Sequence, residues 1–270
     1  MKMRLDAYLV EKGMASDLAL AQALIYEGKV FLGLQRLDNP SVIVQDSSVI
    51  TLKQDKHPYV GRGGLKLEKA LDVFGIDLNG VIAMDVGAST GGFTDCMLRR
   101  GAKSVYAIDV GYGLLDYKLR SDPRVIVMER QNARFLEAAM FATAPSFASI
   151  DVSFISLNAV LPSVTACLSA PAQIVALIKP QFEAKKEQVG KAGIVSDPKV
   201  HLQVLHDAFS TAVRAQLMPL NVTTSPIRGA KGNVEFLLYM QTNKEAYVST
   251  TLLEQAHAIV YADAPDVLDE

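Results

Sequence analysis

Acidic residues end three of the apolar stretches of this chain, and a lysine ends a fourth. Asp85, Asp109 and Asp151 follow the first three, and Lys179 follows the wholly apolar run Ile174–Ile178. Because ligands bind at the carboxyl ends of parallel strands, we expect these side chains to share one rim of a sheet. Lys179, partly removed from water, is then a candidate general base. A charge can also end a strand simply because the chain leaves the core there.

A glycine-rich segment follows the first of these stretches. Apolar residues from Val81 to Met84 run into Gly87, Gly91 and Gly92, and helical spacing resumes at Phe93. This pattern predicts a turn from strand to helix in which the backbone approaches a nucleotide closely. Neither the dinucleotide fingerprint nor the Lys-Ser/Thr pair of a phosphate loop is present, which disfavours a nicotinamide-linked oxidoreductase. A turn that serves packing alone is the alternative.

The acidic residues near this turn favour a cationic ligand. Asp109 lies about 20 residues beyond the glycines, where a carboxylate usually accepts the hydroxyls of a ribose. A sulfonium cation is compatible with Asp85, whereas a pyrophosphate would be repelled. We therefore predict S-adenosylmethionine as cofactor, with Asn132 at the adenine edge. The predicted binding residues are Asp85, Gly87, Ser89, Gly91, Gly92, Phe93, Asp109, Asn132 and Asp151.

The elements that must position these residues alternate between strand and helix. A long amphipathic helix is predicted from Asp197 to Gln216, with Asp197-Pro198 at its start, and a weaker one from Lys244 to Ala256. Together they predict an α/β fold, a doubly wound Rossmann-like sheet with an antiparallel edge. Combined with the predicted cofactor, this is the sheet of an S-adenosylmethionine-dependent methyltransferase. The predicted strands are Val81–Met84, Ser104–Asp109, Val125–Met128, Phe147–Asp151, Gln173–Pro180, Leu217–Thr224 and Val234–Gln241.

Residues 1–54 are predicted to form a small α/β domain of their own, followed by a linker at 55–64 and the larger domain at 65–270. Two short amphipathic helices, the second ended by Gly28, precede three short strands with a turn at Asp46-Ser47. The string Ala21-x-x-Leu24-Ile25-x-x-Gly28-x-Val30 resembles the alpha-L RNA-binding module. Asp17 stands where that family has an arginine, which weakens the expected contact with phosphate. A packing module without RNA contact is the alternative.

Composition excludes several classes of protein. The net charge of −2 gives no overall sign of nucleic-acid binding, and Cys96 and Cys167 stand far apart. No Cys-x-x-Cys and no metal-ligand spacing of histidines occurs, so neither zinc nor a disulfide framework is expected. No apolar run approaches the roughly 18 residues that a membrane helix needs, and no export signal is recognised. The prediction is a soluble, cytoplasmic protein without a metal, and no oligomeric state is predicted.

Five strings in this order resemble the TlyA family of ribosomal RNA 2′-O-methyltransferases, which are often labelled hemolysins. The strings are Arg62-Gly-Gly-Leu-Lys66-Leu, Asp85-Val-Gly-Ala-Ser-Thr-Gly-Gly-Phe-Thr, Asp151-Val-Ser-Phe-Ile-Ser, Lys179-Pro-Gln-Phe-Glu183 and Gly232-Asn-Val-Glu235. The resemblance implies an alpha-L module joined to an FtsJ-like domain that methylates ribose in ribosomal RNA, of cytidine in particular. It implies ribosomal RNA or ribosomal subunits as partners and S-adenosylmethionine as cofactor. The implied catalytic tetrad falls on Lys66, Asp151, Lys179 and Glu235.

These residue types suit that chemistry. A ribose 2′-hydroxyl is a poor nucleophile at neutral pH, so a base such as Lys179 must take its proton during attack on a sulfonium methyl group. Methyl transfer neutralises no phosphate charge, so no metal is expected. Two further alternatives remain. One is an RNA-binding ribosome-assembly factor with an inactive methyltransferase fold, and the other is a membrane-active hemolysin.

Overall fold

The computed structural model describes residues 2–15, 17–26, 29–33, 35–45, 48–52, 57–229 and 232–262. Its contacts divide the chain into two compact units, Met1–Pro58 and Tyr59–Glu270. Tyr59 is buried in the core of the second unit, and its hydroxyl donates a hydrogen bond of 2.7 Å to Glu68. Residues 59–64, predicted as part of a linker at 55–64, therefore lie in the second unit. The buried Tyr59 ring precedes the first helix of that unit and already packs into its core.

The described residues of the first unit form two helices, α1 (Leu5–Glu11) and α2 (Leu18–Tyr26), as the apolar spacing predicts. Its described strands are β1 (Lys2–Arg4), β2 (Val30–Leu32), β3 (Gln35–Arg36), β4 (Ile43–Gln45) and β5 (Ile50–Leu52). Strand β1 pairs with β4, and β2 lies between β3 and β5. The sequence did not predict β1 and β3, because two or three residues are too few to show alternation. Gly28 and the Asp46-Ser47 turn lie outside the described residues.

A mainly parallel sheet forms the centre of the second unit. Within the described residues its strands are β6 (Ile82–Val86), β7 (Ser104–Ile108), β8 (Val125–Met128), β9 (Phe147–Ile150), β10 (Gln173–Ile178), β11 (Leu217–Thr224) and β12 (Phe236–Thr242). Their order is β11-β12-β10-β9-β6-β7-β8, with β12 antiparallel to both of its neighbours. The predicted Rossmann-like sheet with an antiparallel edge is confirmed.

Helices cover both faces of this sheet. They are α3 (Gly63–Phe74), α4 (Gly92–Arg99), α5 (Tyr117–Arg120), α6 (Leu161–Ala166), α7 (Pro180–Glu183), α8 (Pro198–Arg214) and α9 (Thr250–Ala262). Side chains alternate along β6, so Met84 packs in one core with Phe209 of α8, while Ala83 packs in the other with Leu67 of α3 and Met97 of α4. Burial on both faces is typical of a parallel sheet.

The long helix α8 starts where the sequence predicts, and the last helix α9 does not. Asp197 caps α8 as predicted, because its side chain accepts a hydrogen bond from the Lys199 N–H and Pro198 occupies the first turn. The last helix differs from its prediction at 244–256 and spans Thr250–Ala262 instead. The Ser249 hydroxyl accepts the Leu252 N–H at 3.2 Å and fixes this later start. The acidic tail beyond Ala262 lies outside the described residues.

Candidate active site

Strand register brings the predicted residues to one rim of the sheet. Val86 of β6 pairs with Ile108 of β7 and with Ile150 of β9, so Gly87, Asp109 and Asp151 follow three neighbouring strands in line. On the other side, Ile178 of β10 pairs with Phe236 of β12. Lys179 therefore leaves the sheet beside Glu235, where the antiparallel strand enters it.

The glycines of the turn are required by contacts within the chain. Gly87 has a φ of 88°, and a Cβ there would lie 2.4 Å from the carbonyl oxygen of Asp151. Gly91 has a φ of 96°, and a Cβ on it would meet the side chain of Leu119 at 2.2 Å. A Cβ on Gly92 would meet the carbonyl oxygen of Gly61 at 2.9 Å. Neighbouring segments of the chain therefore exclude a side chain at each of these positions, and the predicted contact of these glycines with a ligand stays a prediction.

A cleft of about 180 Å³ lies over this turn. It joins the start of α3 to the rim of the sheet, and both Lys66 and Asp151 contribute to its wall. Several lining residues were not predicted as site residues. Gly61, Arg62 and Thr90 are examples, since none of them belongs to a catalytic pattern of its own. The lining consists of Gly61, Arg62, Gly63, Lys66, Gly87, Ala88, Ser89, Thr90, Gly92, Phe93 and Asp151.

Asp85, predicted to contact the cofactor, is fully buried beneath the turn and does not line this cleft. Strand β6 continues to Val86, so Asp85 lies inside the strand on the face that α4 covers. Its carboxylate accepts hydrogen bonds from the Thr94 hydroxyl at 2.7 Å and the Ser149 hydroxyl at 3.0 Å. Burial raises the pKa of Asp85 to about 7, against the opposing effect of these hydrogen bonds. The structure therefore places Asp85 as a support that ties α4 to the sheet.

Asp109 lies beside the turn with its carboxylate held by backbone groups. Oδ2 accepts the Ser89 N–H at 2.8 Å, and Oδ1 accepts the Gly111 N–H at 2.7 Å. Each oxygen retains acceptor capacity for a further donor, such as a sugar hydroxyl. Asn132 follows Gln131, whose N–H binds the Asp109 carbonyl oxygen at 2.9 Å. Asn132 itself is exposed, and its Oδ1 accepts the Arg134 N–H at 3.1 Å.

Lys66 and Glu235 form a buried ion pair. Lys66 Nζ donates to Glu235 Oε2 at 2.6 Å, and the two side chains are 8% and 2% exposed. A Cβ on Gly229 would lie 2.0 Å from Glu235 Oε1, so the carboxylate is enclosed on its other side as well. The pair joins α3 to the start of β12, two elements that are far apart in the sequence.

Lys179 forms the second ion pair of the rim. Its Nζ lies 2.5 Å from Asp151 Oδ1 and donates a hydrogen bond to the Ser153 hydroxyl at 2.9 Å. Asp151 Oδ1 accepts no well-aligned hydrogen bond from any described residue, so this contact is ionic and the oxygen retains acceptor capacity. The tetrad therefore consists of two lysine–carboxylate pairs, of which Lys66 and Asp151 reach the same cleft.

The loop after Asp151 carries an aromatic side chain that the sequence reasoning did not single out. Phe154 is 90% exposed and has a φ of 63°, a conformation that is rare for a bulky residue. Its ring centroid lies 4.9 Å from that of Phe182 in α7. An exposed aromatic ring in a strained loop at the rim of a cleft is a signal for ligand contact.

Among the residues that the structure describes, no group of three or more histidine, cysteine, aspartate or glutamate side chains could hold a metal ion. None of the described helices combines the length and the apolar character needed to cross a membrane. Cys96 and Cys167 are buried free thiols.

Both parts of this chain match known protein families. Residues 59–242 match the model of the FtsJ-like methyltransferase family, and residues 3–50 match that of the S4 domain. The chain is 45% identical over 270 residues to YqxC of Bacillus subtilis (strain 168), a candidate rRNA methyltransferase, covering 100% of this chain and 96% of that protein. It is 41% identical over 266 residues to the 16S/23S rRNA (cytidine-2′-O)-methyltransferase TlyA of Mycobacterium tuberculosis (strain ATCC 25618 / H37Rv), covering 97% of this chain and 98% of that protein.

A solved structure agrees with these relatives. A candidate hemolysin from Streptococcus thermophilus has a TM-score of 0.73 and 42% identity, covering 97% of this chain and 98% of that one. The sequence identity and the coverage both extend over the S4 domain and the domain that bears the cleft. The chain therefore belongs to the TlyA family, with an S4 domain followed by an FtsJ-like methyltransferase domain.

Proposed function

We propose that this protein methylates the 2′-hydroxyl group of a cytidine ribose in ribosomal RNA, with S-adenosylmethionine as the methyl donor. One observation carries the proposal, namely that two lysine–carboxylate pairs meet at the rim beside the cleft of the glycine-rich turn. The Mycobacterium tuberculosis relative is a 16S/23S rRNA (cytidine-2′-O)-methyltransferase, which supports the choice of ribose and base.

The residues around the cleft fit S-adenosylmethionine. The backbone of the turn and the Phe93 side chain form one wall of the cleft. The Asp109 carboxylate provides acceptors for the ribose hydroxyls. Asp151 adds negative charge, which favours a sulfonium cation. The residues proposed to hold it are Gly87, Ser89, Gly92, Phe93, Asp109 and Asp151, with Asn132 kept as a predicted contact to the adenine. When bound, the cofactor supplies a methyl group on a positively charged sulfur.

Asp85 and Gly91 are proposed to support the turn, whereas the sequence predicted that they contact the cofactor. The Asp85 carboxylate binds Thr94 at the start of α4, and Gly91 packs against Leu119. We propose that both residues hold the turn in shape and that neither contacts the cofactor. Their effect on cofactor affinity is then indirect.

Lys179 is proposed as the general base. It accepts the proton of the ribose 2′-hydroxyl as that oxygen attacks, and it needs its neutral form to do so. The Ser153 hydroxyl and the Asp151 carboxylate hold its Nζ at the rim. Lys66, fixed by Glu235, places a second cationic group in the wall of the cleft. A positive charge there stabilises the negative charge that develops on the ribose oxygen.

Two features are proposed to recognise the RNA. The S4 domain contacts ribosomal RNA, and the exposed Phe154 ring stacks on an unpaired base near the rim. Asp17 in the S4 domain reduces its attraction for phosphate, so the methyltransferase domain contributes to affinity. A ribosomal substrate places the protein in the cytoplasm.

The decisive experiment offers ribosomal subunits and S-adenosylmethionine labelled in its methyl group to the purified protein. Labelled 2′-O-methylated positions are then mapped on each RNA, with Lys179→Ala as the matched inactive control. Label at a cytidine ribose in the wild type alone is the expected result. Absence of label from every ribosomal RNA tested would reject the proposal in favour of an RNA-binding assembly factor.

A further inference from the structure

The loop 152–157 connects the acid at the rim to the next helical turn and carries two groups of the site. Ser153 accepts a hydrogen bond from Lys179 Nζ at 2.9 Å, and Phe154 projects its ring from the rim. The backbone at Phe154 is strained, with a φ of 63°. Such a conformation persists only where the surroundings hold it in place.

Glu183 provides that support from α7, which begins directly after Lys179. Its Oε2 accepts a hydrogen bond from the Ser156 hydroxyl at 2.7 Å, and its Oε1 accepts one from the Leu157 N–H at 2.8 Å. Both oxygens of one carboxylate therefore bind the far end of the loop. Because α7 has four residues, Lys179 and Glu183 hold the two ends of the loop from one short rigid segment.

The position of Glu183 is electrostatically unfavourable. Burial raises the pKa of Glu183, and the nearby Asp207 of α8 raises it further, while the two hydrogen bonds from the loop oppose this shift. No described basic side chain forms an ion pair with it. Glu183 is half-buried, and a carboxylate withdrawn from water without a cationic partner costs free energy that its hydrogen bonds offset. The group is therefore placed for its contacts with the loop.

We propose that Glu183 is a positioning residue for methyl transfer, which sets the loop 152–157 so that Ser153 and Phe154 stand correctly relative to Lys179. It does not touch the reacting atoms. The inference rests on the proposed function for its activity assay, since it concerns the geometry of the same site. It adds a residue outside the tetrad on which the rate depends.

Variants at position 183 separate positioning from simple stability. Glu183→Ala removes both contacts and should lower kcat by about 100-fold, because a displacement of about 1 Å can cost that much. Glu183→Gln should stay within about tenfold of wild type, since its amide oxygen still accepts the Leu157 N–H and its amide nitrogen can donate to Ser156. The dissociation constant of S-adenosylmethionine should change by less than about twofold in both variants, as Asp109 and the turn are untouched.

The matched control is Glu187→Ala, which removes an exposed carboxylate four residues further along the chain. It should leave kcat unchanged. If Glu183→Ala fails to fold, Ser156→Ala removes the 2.7 Å contact alone and should lower kcat in the same direction. Equal kcat in wild type, Glu183→Ala and Ser156→Ala would overturn the proposal, and so would a failure of Glu183→Gln to restore activity in a folded protein.

A second measurement is independent of activity. The chain contains no tryptophan, so Phe154→Trp introduces a single fluorescent reporter on the loop. Because this position is already 90% exposed, the readout is the mobility of the ring. Its fluorescence anisotropy should decrease when Glu183→Ala is added to this variant and should stay constant when Glu187→Ala is added. Unchanged anisotropy with Glu183→Ala would overturn the inference. If the wild type does not methylate RNA, the proposed function fails, and the fluorescence result still decides whether Glu183 holds the loop.

Discussion

Lys66→Met isolates the cost of breaking the buried ion pair. The substitution keeps a long apolar side chain but leaves the Glu235 side chain, 2% exposed, without the partner that lies 2.6 Å away. Removing one partner of a buried pair typically costs about 3–5 kcal/mol, because the remaining charge is uncompensated. For a domain of this size each kcal/mol lowers Tm by roughly 2–4 °C, so a decrease of about 6–20 °C is expected.

A double-mutant cycle distinguishes this cost from catalysis. Lys66→Met combined with Glu235→Gln removes both charges, so at least half of the lost stability should return. Methyl transfer to ribosomal RNA should remain lost, because the proposed cationic group is absent. Thermal unfolding followed by circular dichroism measures stability, and incorporation of labelled methyl groups measures activity.

Three results would refute this reasoning. A Tm of Lys66→Met within about 2 °C of wild type would show that the pair is not electrostatically important in the folded state. A double variant no more stable than Lys66→Met would show that the loss arises from packing. A folded double variant that methylates RNA at the wild-type rate would remove the pair from the catalytic site.

The remaining predictions concern the base, the cofactor site and the turn. Lys179→Ala should lower kcat by at least about 100-fold while calorimetric titration shows cofactor affinity within about twofold of wild type, and retained methylation would exclude it as the base. Asp109→Ala should weaken cofactor binding by about tenfold, the value of one or two hydrogen bonds, and an unchanged dissociation constant would exclude Asp109 from the site. Burial raises the pKa of Asp85 from 3.8 to about 7, so the folded state binds this proton more tightly than the unfolded state does. The free energy of unfolding should therefore fall as pH rises from about 4 to above 7, by up to about 4 kcal/mol, and Asp85→Asn should remove that decrease in denaturant titrations across the range. Gly87→Ala places a Cβ 2.4 Å from the Asp151 carbonyl oxygen at a φ of 88°, and it should cost about 1–3 kcal/mol in the same titrations, whereas an unchanged midpoint would show that the turn can relax.

Local patterns predicted the larger elements of the methyltransferase domain. Alternating apolar strands and amphipathic helices predicted the parallel sheet, and the cap at Asp197 was predicted from its side chain and the following proline. Predictions were less accurate where local signals are weak. The last helix starts at Thr250, and the second unit begins at Tyr59 because that ring packs into its core.

Contacts between distant segments changed the interpretation of single residues. Asp85 was predicted at the end of its strand, but one further residue of β6 directs its carboxylate beneath the turn, toward Thr94 and Ser149. Gly87 was predicted to admit a ligand, and the structure adds a second requirement for glycine, because a Cβ there would lie 2.4 Å from the Asp151 carbonyl oxygen. Neither neighbour is visible in a local pattern, although a serine at 149 inside an otherwise apolar strand was a signal for a buried polar contact.

The amino-acid sequence by itself determined which residues stand at the rim of the sheet. Each repeat of strand and helix directs its carboxyl end to the same edge, so Asp109, Asp151 and Lys179 could be placed there one element at a time. The tertiary structure alone decided how the charges pair. Lys66 and Glu235 are separated by 169 positions and meet only because an antiparallel strand enters the rim beside Lys179. Such pairing depends on the order and register of the strands. Packing between distant segments sets both, so neither can be predicted from a local sequence pattern.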